Sequence, residues 1–149
     1  MKARQVRLRN VLFPFWMLQL FPVVWLVVLP ANFLVDSLVL LISLRVLKIA
    51  ERKGWYKRHI LKVFSFGMLS DLAGAAYMLL MMIHFDMGYM GDEPYLTLPA
   101  IFIAAVLIFL SNYFITFRKA DKPQRLKLAL IFAIVTAPYT FMVPTSWLY

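Results

Sequence analysis

Two carboxylates, Asp36 and Asp71, stand inside long apolar runs of this chain. A charged side chain at mid-membrane costs roughly 2.5 to 3.5 kcal/mol on insertion scales, so such residues face a partner, a cavity or a pathway. A carboxylate there can hold a proton or a cation, or accept hydrogen bonds that join helices. Asp71 is the sharper case. It lies nine residues beyond Lys62, which is about 13 Å at the helical rise. Gly67, Ser70, Asp71, Gly74 and Ala75 share one helical face by their spacing. Small residues on such a face let another helix approach closely, so Gly67, Ser70 and Gly74 read as helix-packing positions.

The same rise places Gln19, Asn112 and Thr136 at roughly 9 to 13 Å from the edge where the cations sit. With Asp71 they would form a polar layer along an ion or proton pathway, provided their side chains turn inward. Asp36 reads differently. It falls about 6 Å below an expected turn at the opposite membrane surface. There it would bond Ser37, Tyr77 or a cap near Asn32, and it would suit the start of a helix dipole. It is a second pathway candidate, expected at a separate place from Asp71.

The elements that hold these residues follow from composition. The chain has 149 residues, 63% hydrophobic and 15% charged. Soluble domains are nearer one half apolar and one quarter charged, so lipid must cover the surplus. The expectation is an all-α, polytopic integral membrane protein forming one domain, 1–149. Residues 11–49 are almost unbroken apolar sequence, with charges only at Asp36, Arg45 and Lys48. As one helix they would reach about 58 Å, against a bilayer core of about 30 Å. Two crossings are expected, with the bend at Pro30-Ala31-Asn32, since proline removes a donor and Asn suits turns and caps. The five expected transmembrane helices are 11–29, 32–49, 63–84, 95–117 and 128–147. Pro14 and Pro22 in the first, and Pro138 and Pro144 in the last, predict kinks. A basic start before an apolar run resembles a leader, but Val28-Leu29-Pro30-Ala31 lacks the small-x-small cleavage pattern.

All 16 Lys and Arg fall in three segments: Lys2 to Arg9, Arg45 to Lys62, and Arg118 to Lys127. Five crossings would put all three on one face. By the positive-inside rule the N-terminus is then cytoplasmic and the C-terminus outside, with a bacterial cytoplasmic membrane as the expected location. The net charge of +9 therefore points to topology and anionic lipid headgroups, not to nucleic acid. Trp55, Tyr56 and His59 read as interfacial residues.

Catalytic patterns are missing. There is no cysteine, no HExxH, no GxSxG and no GxxxxGK, so an enzyme is not expected and no cofactor is implied. His84, Asp86, Asp92 and Glu93 make an acidic loop whose spacing matches no metal motif. Leu34 to Leu38 and Leu69 to Leu72 look faintly alike, over too few residues to claim a repeat. Two readings of function remain. One is a homo-oligomeric proton- or cation-linked transporter or channel built on Asp71, with Gln19 and Asn112 beside it. The other is a non-transporting accessory, assembly or immunity protein that binds other membrane subunits. In that reading the buried polar residues only join helices, at about 0.6 kcal/mol per bond.

Overall fold

The computed structural model describes residues 21–84 and 94–143, and these are helical with no strand among them. Helix α1 is Pro22–Val46, α2 is Arg52–His84, α3 is Pro94–Ser111 and α4 is Lys122–Val135. A π-helical turn, Asn112–Thr116, continues α3, and a 3₁₀ turn, Tyr139–Met142, follows α4. Among the described residues, four segments are long and apolar enough to cross a membrane: Pro22–Val46, Arg52–His84, Pro94–Thr116 and Lys122–Met142.

The expected bend at Pro30-Ala31-Asn32 is not there. Helix α1 runs straight through it, with Pro30 inside. Proline costs one backbone bond, to the carbonyl of Leu26, and membrane helices tolerate that loss. The described part of the expected first span therefore belongs to α1. The rest of that span, with Pro14 and Gln19, lies outside the described residues, as do Asp86, Asp92, Glu93 and Pro144.

The real turn is at residues 47–51, and its chemistry is specific. Ile49 N–H donates to Leu44 O at 3.1 Å and Lys48 N–H to Arg45 O at 3.2 Å. This is a Schellman C-cap, with the residue after the cap in the left-handed region. That residue is Lys48, at φ 51°, where glycine is the usual occupant. Leu44 and Ile49 are both buried in the same cluster, which supplies the hydrophobic contact the motif favours. Glu51, at φ 53°, then opens α2 by accepting from Trp55 N–H at 3.1 Å.

Helix α2 begins at Arg52, not near residue 63. Lys and Arg are good helix formers, so the basic segment forms the first turns of the helix rather than a loop. Its 33 residues span about 50 Å, well beyond the apolar thickness of a bilayer. Likewise α4 starts among cations, at Lys122 with Pro123 in its first turn. It stops at Val135, short of the expected 128–147 span, because Pro138 cannot donate to Ile134 O. Tyr139 Oη donates to that carbonyl instead.

Each helix packs on its neighbour in sequence, and α4 closes on α1. One apolar cluster lies toward the basic end, with Leu40, Leu44, Val63, Ile108, Leu128 and Phe132. The other lies toward the far end, with Ala75, Met78, Ala100 and Phe141. Gly74 sits at the tightest crossing. A methyl group there would come within 2.9 Å of Phe141 Cε2 and 3.1 Å of Ala100 O, the close approach that small residues permit.

Two outcomes follow. The protein has no cysteine, so Ala50→Cys and Lys119→Cys should respond alike to a membrane-impermeant thiol reagent on intact cells. Pro94→Cys should give the opposite response. Lys48→Gly should raise the melting temperature in detergent, because it relieves about 1 kcal/mol of left-handed strain. A fall in melting temperature would refute that account of the turn.

Candidate functional site

Asp36 and Asp71 come together. Without a bend at residues 30–32, Asp36 lies in the middle of a continuous helix and not beside a turn. Counted from the turn that joins the two helices, Asp36 lies 10 residues before Val46, about 15 Å, and Asp71 lies 19 residues after Arg52, about 28 Å. Both side chains nevertheless line one cavity. A methyl group on Gly67 would lie 3.5 Å from Asp36 Oδ2, and Asp71 is one helical turn further along that face. The two carboxylates are close enough to interact electrostatically. The expectation of separate places is thus corrected, and the misplaced bend is the cause.

Both side chains are buried, Asp36 at 5% and Asp71 at 8% exposure, and Asp71 Oδ1 has no hydrogen-bond partner. They lie between the two apolar clusters. The buried residues of α1 are Asp36, Ser37, Leu40, Ser43 and Leu44, so none falls in Pro22–Val35. Between that first half of α1 and the C-terminal end of α4 is a partly open cavity of about 780 Å³. Asp36, Asp71 and Gly67 line it from α1 and α2, with Asn32 beside them. Thr136, Pro138 and Thr140 line it from the broken end of α4. No Lys, Arg or His lines it among the described residues.

Two of the partners expected for Asp36, Ser37 and Asn32, are engaged elsewhere. Ser37 Oγ pairs with Tyr56 Oη at 2.9 Å. Asn32 Nδ2 donates to Met68 Sδ at 3.2 Å. Ser70 Oγ donates back to Phe66 O at 2.7 Å, which satisfies the hydroxyl within its own helix. Thr136 Oγ1 does the same with Phe132 O at 2.7 Å. His59 is buried. It stacks on Trp55 with ring centroids 4.6 Å apart, and its Nδ1 meets Trp55 O at 2.8 Å.

Of the expected polar layer, Asp71 and Thr136 share the cavity, Asn112 does not line it, and Gln19 lies outside the described residues. Asn112 is fully buried at the start of the π-helical turn, and neither of its side-chain polar atoms has a partner. Thr116 Oγ1, at the other end of that turn, is also unpartnered. Asn32 and Thr140 were missed by sequence reasoning. Asn32 was read as a turn residue, and the signal that could have placed it is its spacing of four from Asp36.

No group of three His, Cys, Asp or Glu among the described residues is placed to hold a metal ion. What the site offers is two acidic oxygen donors and neutral hydroxyl and amide groups in an apolar setting. Compared with protein-family models, curated proteins and solved structures, the chain gives no match.

Asn112→Leu tests whether the π-helical turn carries an unmet polar group. Removing it should stabilise the fold by about 1 to 3 kcal/mol, the cost of an unsatisfied buried donor or acceptor. The check is a higher melting temperature in detergent, and a clear fall would show that Asn112 has a partner in solution.

Proposed function

We propose that this integral membrane protein is a small proton- or cation-linked transporter or channel in which Asp36 and Asp71 act as one site. The observation that carries the reading is that carboxylates from adjacent antiparallel helices line a single cavity. Two like charges in a low-dielectric setting repel strongly. A proton or a cation between them relieves that repulsion, and a site that can take one or the other can exchange them. Thr136 and Thr140 supply neutral oxygens at the rim. The twelve cations between Arg45 and Lys127 gather at the end of the bundle where α1 meets α2 and α3 meets α4. We place that end in the cytoplasm, by the positive-inside rule, and the membrane as a bacterial cytoplasmic one.

The alternative is a non-transporting accessory in which the buried polar residues only join helices. Within the chain, Gly67 faces Asp36, and Gly74 is covered by Ala100, Ala104 and Phe141. A second copy or another subunit would have to dock on a different surface. The cavity itself is formed by a single chain, so a homo-oligomer is compatible with the proposal but is not what builds the site.

Reconstitution in liposomes tests the proposal. Asp71→Asn and Asp36→Asn should each abolish proton or monovalent cation flux, while helical circular dichroism is unchanged. Normal flux in both variants, or none from the unmodified protein under any proton or cation gradient, would remove it.

A further inference from the structure

We infer that the cavity takes an organic cation with an apolar body, of the amine or quaternary ammonium class, with its charge beside Asp36 and Asp71. This deepens the proposal above and rests on its carboxylate pair. Three independent features ask for positive charge. Asp36 and Asp71 are both more than nine-tenths buried and line the cavity, and Asp71 Oδ1 is unpartnered. The C-terminal end of α4 opens on the same space, and that end of a helix carries the negative pole of its dipole. Among the described residues no cationic side chain lines the cavity to compete.

The rest of the lining does not suit a bare divalent metal ion. Calcium takes six to eight oxygen ligands and magnesium demands near-octahedral oxygen geometry. The wall presented by α1 is instead Val23, Val24, Val27, Val28, Ala31 and Val35. That is a surface for methyl, methylene or ring groups. The volume of about 780 Å³ falls within the range of pockets that hold drug-sized molecules, about 300 to 1,000 Å³. A ligand matching both halves has one charged centre and an aliphatic or aromatic body. The gap between α1 and α4 gives such a molecule a route in from the side.

Equilibrium binding of labelled tetraphenylphosphonium to the full chain in nanodiscs tests this. Saturable binding is expected, with competition by decyltrimethylammonium and none by neutral triphenylphosphine oxide. Asp71→Asn and Asp36→Asn should each weaken binding at least about tenfold, the scale of a lost contact to a charged group. Val27→Trp, at a position 72% exposed in the fold, should weaken it by filling the space. No saturable binding, equal competition by the neutral oxide, or unchanged binding in the two Asp variants would overturn the inference. Should those variants fail to fold, unchanged binding in Val27→Trp would overturn it. Proton flux without binding of this probe would also overturn it, yet leave the transport reading in place. Charge-dependent binding without any flux would support the ligand class and remove transport.

Discussion

A carboxylate carried into lipid on a helix has to be met by something, and in this chain two of them are carried to one cavity. Much of the architecture can be read from that constraint. Asp36 sits on the buried stripe of α1, in register with Leu40 and Leu44. Asp71 sits on the stripe of α2 that continues into Gly74, Ala75 and Met78. Glycine at 67 leaves Asp36 room where the helices face each other. The two apolar clusters lie on either side of the pair, so the polar break in the core coincides with the cavity. A charge pair with packed side chains around it would be a structural cost with no return. Here the bundle is open at that point.

Much of this was legible from residue types. The helical class and the apolar runs follow from hydropathy, and Asp71 stands out by the cost of charge in lipid. Thr136 lines the cavity and Asn112 does not. Depth follows from counting residues along a helix, but facing depends on how neighbours rotate, and a run that is apolar on every side does not encode it.

The main error has a definite physical source. Pro30-Ala31-Asn32 has the chemistry of a turn in water, where freed backbone groups are hydrated. In a helix that spans lipid, leaving the helix exposes several polar groups, and keeping one proline inside exposes only one. The reversal expected between residues 49 and 63 falls at residues 47–51, where the left-handed positions are filled by Lys48 and Glu51, not by glycine or asparagine. The extra bend expected at 30–32 set Asp36 close to a membrane surface, which hid the cavity it shares with Asp71.

The tight reversal between α1 and α2 bears on how the protein enters its membrane. Helix α1 alone would present Asp36 to hydrocarbon with nothing opposite it. Five residues later α2 begins, and its first turns hold a dense cluster of cations that anchors the reversal at the surface. The two helices are therefore suited to partition as one hairpin, with Gly67 and Asp71 brought against Asp36 during integration itself. In that order of events the acidic pair never faces lipid as an isolated charge. The shortness of the connection is then a feature of biogenesis as much as of the finished fold.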